Sequence, residues 1–369
     1  MRVANRATSW VHLRARAGGC AIALAILLVP FPAMSKERGD RLSRISKGDS
    51  ASEYWDIVAR FEPDYSLFAR FLITNEGPGE RTAIASWYLT DPQGELITFR
   101  NGRRKHRWTL SQAGDQIRIG SSIFDQSGPV HLLEYDSSKR DIRVQFRFSP
   151  TGPVAWTDAP VSGNYSIDLL DLGTPVTGTI QLKGMTEPVS VSGTIGVTHT
   201  WMEESEADIA LRRIEFASAG EGPSIYLSDL TTPSGGRHRW LVVERDGEVL
   251  FRTTDFQLDL GKCAERVKSG YPTPGALRIH GPGLEGTIET ASALVEVDPM
   301  DVIPQPFRFL LSFKMRPHRV WKPASFKVTL KANPSLPATV LHGSGVTTIT
   351  FLNPLPPLLS KPETGNTGA

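Results

Sequence analysis

Cysteine is nearly absent from this chain of 369 residues, which contains only Cys20 and Cys263. Cys20 lies in an N-terminal segment that we expect to be removed, so the mature chain keeps one thiol and cannot form an intrachain disulfide. A chain of this length can bury a core without disulfides. The role of Cys263 stays open between a structural or incidental thiol and a reactive one.

Long apolar runs are absent after residue 35, so no later segment is apolar for long enough to cross a membrane. Residues 1–35 carry four arginines and no acid, and they end in the apolar run "CAIALAILLVPFPAMS". This order is typical of a secretory signal peptide cleaved after Ser35, with an uncleaved N-terminal anchor as the alternative. We therefore expect a periplasmic or secreted protein.

The chain also lacks an excess of charge of one sign. It has 41 basic and 39 acidic residues, and removal of residues 1–35 leaves 37 basic against 39 acidic residues, a net charge near −2. A nucleic-acid-binding surface normally shows a strong basic excess. No nucleic-acid partner is expected.

Helical periodicity is missing as well, and short runs rich in β-branched and aromatic residues take its place. In "IRVQFRF" (residues 142–148), apolar and polar side chains alternate. Around fifteen or more such runs, separated by Gly, Pro, Asp and Asn, predict an all-β protein. The length favours two antiparallel barrels over one large sandwich. Asp246 and Gly247 predict a hairpin between two of the runs.

The chain divides into five predicted segments. We expect a signal peptide over 1–35, a flexible charged lead-in over 36–52, an N-terminal barrel over 53–200, a C-terminal barrel over 201–353 and a disordered tail over 354–369.

Motifs for phosphate or metal binding are not convincing. "GPGLEG" (residues 281–286) matches a dinucleotide fingerprint, but the strand-like "TIETASALVEV" follows where a helix is required. We interpret it as a hairpin turn. The seven mature histidines are scattered along the sequence, so neither a metal nor a cofactor is expected.

Tryptophan is the informative residue type. Since half of the positions in a barrel strand point inward, these side chains either line a cavity for an apolar ligand or fill two ordinary cores. The mature tryptophans are Trp55, Trp87, Trp108, Trp156, Trp201, Trp240 and Trp321.

The stretch "GTIGVTHTWMEESEAD" (residues 193–208) ends a strand-like alternation in a histidine and a tryptophan. His199 and Trp201 are two residues apart and share a strand face with Ile195 and Val197. Such a row of side chains fits the wall of an apolar pocket with one polar group. It equally fits a hydrophobic core with a histidine at its edge.

Three stretches carry a family resemblance: "YWDIVARFEPDYSLFARFLITNEGPG" with the following "ASWYLTDPQGELITFRNG", the middle segment from "NYSIDLL" to "GVTHTWM", and "RWLVVERDGEV". Together they resemble the double-barrel family that includes the carotenoid 1,2-hydratases, the AttH-like proteins, the yeast survival-factor proteins and fungal cyclases. The resemblance covers about residues 53–330. It implies two lipocalin-like β-barrels in tandem, with an apolar ligand in or between them.

The middle motif departs from the hydratase-like pattern, in which it reads approximately Asp-His-x-Trp-Gly. Here Thr198 replaces the acid and Met202 the glycine, while His199 and Trp201 match. Protonation of an isolated double bond needs a strong acid, which threonine cannot supply. In an enzyme, one of the acids in the charged run after the motif would have to replace it; the candidates are Glu203, Glu204 and Asp208.

Three hypotheses follow. The first is an exported carrier of a lipid or isoprenoid, with an envelope export system as an expected partner. Its ligand-binding candidates are Trp55, Trp87, Trp108, His199, Trp201 and Trp240. The second is a cofactor-free hydratase or cyclase acting on an isoprenoid-like substrate, with His199, Trp201 and one of Glu203, Glu204 or Asp208 as catalytic candidates. The third is an envelope structural protein without a ligand.

Overall fold

The computed structural model describes residues 41–75, 81–150, 164–219, 222–245, 247–266, 270–302, 305–306, 308–309, 312, 316–331 and 338–353. The expected signal peptide and the expected disordered tail lie outside these residues. Within them, no helix has the length and apolar character needed to span a bilayer.

Eleven antiparallel strands form the first sheet, which curls into a nearly closed barrel in the order β4-β3-β2-β1-β11-β10-β9-β8-β7-β6-β5. They are β1 (Ser52–Glu62), β2 (Tyr65–Thr74), β3 (Thr82–Thr90), β4 (Leu96–Arg103), β5 (Trp108–Leu110), β6 (Gln116–Ile119), β7 (Ser122–Asp125), β8 (His131–Ser137), β9 (Ile142–Phe148), β10 (Tyr165–Gln181) and β11 (Val189–Met202).

Ten strands form the second sheet, a half-barrel in the order β15-β14-β13-β12-β23-β22-β20-β19-β16, with β21 paired to β22. The helix α1 (Glu206–Ile209) joins the two sheets, a 3-10 helix covers Pro299–Val302, and β17 pairs with β18 in a small ribbon. The strands after α1 are β12 (Arg212–Ala219), β13 (Ser224–Thr231), β14 (Arg237–Arg245), β15 (Glu248–Thr253), β16 (Gln257–Leu260), β17 (Cys263–Arg266), β18 (Pro272–Pro274), β19 (Ala276–Gly281), β20 (Leu284–Thr290), β21 (Val295–Val297), β22 (His318–Leu330) and β23 (Thr339–Phe351). The predicted all-β architecture of two tandem barrels is confirmed, the second being an open one.

Alternation along β1 explains how the sheets are stacked. Trp55 and Ile57 point into the core of the first sheet, whereas Tyr54 and Asp56, on the opposite face, point toward the second sheet. Because both faces of β1 are covered, eight of its eleven residues are buried.

Aromatic side chains in mutual contact fill the interior of the first sheet. Trp87 packs on Phe99 at 5.5 Å between ring centroids and on Phe71 at 5.9 Å, and Tyr135 closes the group at 4.3 Å from Phe99. A core of this kind is packed by its own side chains.

The predicted boundary between the barrels lies close to the observed ends of the two sheets. The first sheet ends at Met202 and the second begins at Arg212, so both positions come just after the predicted boundary at residue 200, which stays a prediction. The flexible lead-in also stays a prediction, and its described part contacts the first sheet. The Ser43 hydroxyl and the Arg44 backbone N–H donate hydrogen bonds to Glu53 in β1. A buried carboxylate needs such donors.

Candidate functional site

A carboxylate–histidine pair lies inside the first sheet, near one end. Glu53 in β1 and His199 in β11 are both fully buried, and His199 Nε2 lies 2.7 Å from Glu53 Oε1. The register places Trp55 opposite His199 and Glu53 opposite Trp201. Because residues two apart share a strand face, the four side chains form one layer, which we call the dyad layer.

The hydrogen-bond pattern assigns the proton of the imidazole. Glu53 Oε2 accepts from the Ser43 hydroxyl at 2.6 Å, and Oε1 accepts from the Arg44 backbone N–H at 2.6 Å. A carboxylate surrounded by donors acts as an acceptor toward His199 as well, so Nε2 carries a hydrogen, and in the neutral ring Nδ1 carries the lone pair.

Two buried polar atoms of the dyad layer lack partners. His199 Nδ1 and Trp55 Nε1 have no hydrogen-bond partner among the described residues. The two rings are stacked, with centroids 4.6 Å apart and planes 6° from parallel. Since buried polar atoms in native proteins are nearly always bonded, these two atoms are free to bond a further polar group such as a water molecule.

Residues 41–51, here called the strap, cross the dyad layer. Arg41 pairs with Asp171 through Nη1 at 2.5 Å and Nη2 at 3.1 Å, and donates to the Leu170 carbonyl at 2.9 Å. Further along, Asn75 Nδ2 donates to the Gly48 carbonyl at 2.6 Å. The strap therefore separates Glu53 and His199 from solvent.

Trp201 lies between the dyad and the strap. The guanidinium of Arg44 stacks on its ring at 4.2 Å and reaches Asp168 at 3.4 Å, and the His199 ring lies 5.1 Å from the Trp201 ring. A cation over an indole face is favourable in a partly desolvated position.

The acids predicted to assist His199 do not reach it. Glu203, Glu204 and Asp208 are exposed in the segment that follows β11, and Asn164 donates to Glu204 at 2.9 Å. The strand ends at Met202, so these residues no longer follow its inward alternation. Glu53 occupies the position we had expected one of them to take, and its only sequence signal is the E-x-W spacing opposite H-x-W.

The other predicted ligand-binding tryptophans are dispersed. Trp87 is buried in the aromatic interior and donates to Ser122 Oγ at 3.0 Å. Trp108 is half-buried, and its Nε1 donates to the Arg81 carbonyl at 2.7 Å. Trp240 packs on Tyr226 between the two sheets. Of the predicted set, the structure brings together only Trp55, His199 and Trp201.

A second polar cluster joins the two sheets, centred on the buried Arg213 of β12. Its Nη1 donates to the Tyr54 hydroxyl at 2.6 Å and to the Tyr165 hydroxyl at 2.8 Å, and its Nε lies 2.9 Å from Glu215. The Tyr54 hydroxyl donates in turn to Glu206 at 2.6 Å. We call this group the junction cluster.

Burial governs the proton affinities in the junction cluster. Desolvation raises the pKa of the Tyr54 and Tyr165 phenols, so both stay protonated. Burial alone would raise the pKa of Asp56, but the charge and hydrogen bonds of Arg70 hold it below its usual value. The cavity beside the cluster measures about 30 Å³, room for one or two water molecules but not for a substrate.

Metal ligands do not converge in the part of the chain that the structure describes, where no group of three His, Cys, Asp or Glu residues could hold an ion. His131 is an isolated case near Arg41. Burial, assisted by the charge of Arg41, lowers the pKa of His131 to about 4, so its imidazole is neutral near pH 7.

The two sheets and their stacking define a double lipocalin-like barrel, and solved structures share it. A candidate AttH protein from Nitrosomonas europaea matches with a TM-score of 0.64 and 15% identity over 88% of this chain and 99% of its own. CghA with Sch210972 matches at 0.59 and 11% over 86% and 98%, and kievitone hydratase from Nectria haematococca at 0.55 and 11% over 86% and 96%. The predicted resemblance is confirmed for the fold.

Sequence comparisons add no closer relative. No protein-family model matches the chain, and no curated protein gives a significant match.

Proposed function

We propose that this protein is a cofactor-free acid–base enzyme of the hydratase or cyclase type, with His199 as its general base. One observation carries the proposal: the imidazole is fixed by Glu53 through Nε2, while its Nδ1 is buried and unpartnered beside the Trp55 indole N–H. A carboxylate that holds one ring nitrogen of a histidine leaves the other nitrogen free to take a proton. Enzymes use this arrangement to activate a nucleophile. The fold shared with kievitone hydratase adds support.

The chemistry follows from the proton assignment. The lone pair on Nδ1 takes a proton from water as that water attacks an electron-poor carbon of a double bond. The imidazolium that forms is stabilised by Glu53 and by the face of Trp55. Return of the proton to the neighbouring carbon completes the addition of one water molecule. A cyclase would use the same base to remove a substrate proton.

This assignment favours polarised double bonds over isolated ones. An imidazolium is too weak an acid to protonate an unconjugated alkene readily, and the exposed acids after β11 do not reach the dyad. A substrate whose double bond is conjugated with a carbonyl needs the base that His199 offers.

The substrate would enter from the end of the barrel that the strap covers. Packed aromatic side chains occupy the interior below the dyad layer. Residues 41–51 would therefore have to move aside, and Trp201 would become one wall of the opening. For the same reason the carrier hypothesis has less support, since a carrier needs a larger interior.

The test is hydration in water labelled with heavy oxygen, using kievitone, acyclic isoprenoids and conjugated enones. We expect one labelled oxygen in the product of an enone substrate. H199Q should reduce this incorporation about 100-fold or more, the usual contribution of a general base.

The matched control is H342Q, which changes an exposed histidine in β23. It should retain full activity. Equal turnover by H199Q and wild type, at similar melting temperatures, would exclude His199 as the base.

On sequence grounds alone, we also propose export to the periplasm or the cell exterior and a hydrophobic small molecule as the natural ligand. Residues 1–35 have the order of a signal peptide. N-terminal sequencing of protein recovered from the periplasm should begin at Lys36, and a blocked or intact Met1 would contradict cleavage. An envelope export system as partner remains a prediction from the same segment.

A further inference from the structure

Three arginines surround one aspartate at one end of the inner face of the second sheet. Arg212 begins β12, Asp229 lies in β13, and Arg237 and Arg239 lie in β14. Strand alternation puts them on the inner face, because each strand carries a buried core residue two positions away; these are Ile214, Leu227 and Leu241. We call the four residues the arginine mouth.

A single carboxylate serves two of the guanidinium groups. Asp229 is fully buried and accepts from Arg237 through Nε at 3.2 Å and through Nη2. Arg239 Nε lies 3.9 Å from the same carboxylate, and its Nη1 donates to the Phe256 carbonyl. Two cations therefore share one anion.

Arg212 is the uncompensated member. It donates to Thr231 Oγ1 at the long distance of 3.4 Å, and its buried Nε has no partner among the described residues. Burial lowers the pKa of Arg212 to about 10. The negative charge of Asp229 opposes this shift, and the positive charge of Arg237 adds to it. A desolvated cation without its own carboxylate is costly unless an anion approaches it.

Two stacked aromatic rings lie beside Arg212. Phe351 in β23 is the register partner of Arg212. Tyr271 stacks on Phe351 with centroids 4.3 Å apart and planes 5° from parallel, and its hydroxyl donates to the Arg316 carbonyl. Phe351 is fully buried and Tyr271 half-buried, so the mouth combines an excess of positive charge with the ring of Tyr271.

We propose that the arginine mouth binds the carboxylate head group of an amphipathic molecule whose apolar chain lies along the half-buried ring of Tyr271. A guanidinium fork matches a carboxylate geometrically, and a charge-assisted hydrogen bond is among the strongest that proteins make. The site belongs to the second sheet and is independent of the acid–base chemistry proposed for the first.

Wild-type protein suffices for the first test. Isothermal titration would compare decanoate with decanol, which lacks the charge, and with sulfate, which lacks the chain. We expect saturable binding of decanoate about tenfold tighter or more than either, the size of one hydrogen bond to a charged group. Equal binding of decanol or of sulfate would overturn the proposal.

Variants then locate the site. R212Q should weaken decanoate binding about tenfold or more, whereas R278Q, a change at an exposed arginine of β19 in the same sheet, should leave it within about twofold. Because R212Q removes an uncompensated charge, it should melt no lower than wild type. Equal losses in the two variants would overturn the assignment, and the wild-type comparison decides the matter if R212Q fails to fold.

Discussion

Glu53 and His199 are 146 positions apart in the chain, yet the chemistry of the imidazole depends on this contact. The carboxylate accepts the hydrogen of Nε2, which leaves Nδ1 as a base. An amide in place of the carboxylate keeps an acceptor for the ring but carries no negative charge to stabilise its protonated form.

We predict that E53Q inactivates the enzyme without unfolding it. The amide oxygen of the variant would accept from the Arg44 N–H and from His199 Nε2, and its N–H₂ would donate to Ser43 Oγ, so the fold is kept. The imidazolium that forms during turnover would lose the negative charge that stabilises it. Turnover should fall about 100-fold or more, and the melting temperature should change little because no charge is left uncompensated. Steady-state kinetics and thermal unfolding would measure the two effects.

E203Q supplies the control, since it makes the same change at an exposed glutamate just after β11. It should behave as wild type. A fall in turnover no larger for E53Q than for E203Q would contradict the proposed role of the dyad.

At this scale the sequence predicts one half of the site. The spacing of His199 and Trp201 shows that both side chains face the same way, because strand alternation is a local property. The partnership with Glu53 depends on how β1 is aligned against β11, and alignment between distant strands depends on packing across the whole barrel.

Among the elements, the strap couples the lead-in to the chemistry of the first sheet. The lead-in is rich in charged residues without apolar spacing, which predicts a flexible segment. That prediction considers each residue alone and leaves out the residue that it contacts in the fold. Arg41 meets Asp171, and Arg44 meets both Trp201 and Asp168, so the described part of the segment is held by specific contacts.

R41A should loosen the strap. Removal of the guanidinium leaves Asp171, a nearly buried carboxylate, without its bidentate partner, which should cost about 3 kcal/mol in the free energy of unfolding. Amide hydrogen exchange should accelerate in residues 42–50 more than in β1. R118A, at an exposed arginine in β6, is the matched control. Unchanged exchange in the strap of R41A would show that other contacts hold it.

Strands and hairpins follow most directly from the sequence. "GPGLEG" forms the turn between β19 and β20, where Gly281 pairs with Leu284, as the strand-like continuation predicted. Arg245 pairs with Glu248 across the hairpin predicted at Asp246 and Gly247, although Asp246 itself lies outside the described residues. Turn chemistry and alternation act within a few residues, which is why these predictions succeed.

For the molecule as a whole, the junction between the sheets is polar at its centre and could not be predicted. Arg213 contacts residues contributed by both sheets, including Tyr54 and Tyr165 from the first and Glu215 from the second. Close approach also needs Gly173, whose φ of +66° lies in the left-handed region and where a Cβ would collide with Ser224 Oγ. Pairings of this kind depend on how two finished sheets meet.

The same junction makes stability depend on pH through Glu244. Burial, reinforced by the charge of Asp171, raises the pKa of Glu244 to about 7, against a hydrogen bond from the Gly247 backbone. The pKa of Glu244 is near 4.5 in the unfolded state and about 7 in the folded state. Between these two pH values the folded state keeps a proton that the unfolded state has lost. The free energy of unfolding therefore falls as pH rises through this window, and the penalty is complete above it.

E244Q should abolish that penalty, because the amide stays neutral at every pH. We expect the variant to be more stable than wild type by about 1–2 kcal/mol at pH 8 and to show no advantage at pH 4, measured by urea unfolding. E248Q, at an exposed glutamate in β15, should show no such dependence. An advantage of E244Q that is the same at both pH values would mean that packing, and not the ionisation of Glu244 beside Asp171, sets the difference.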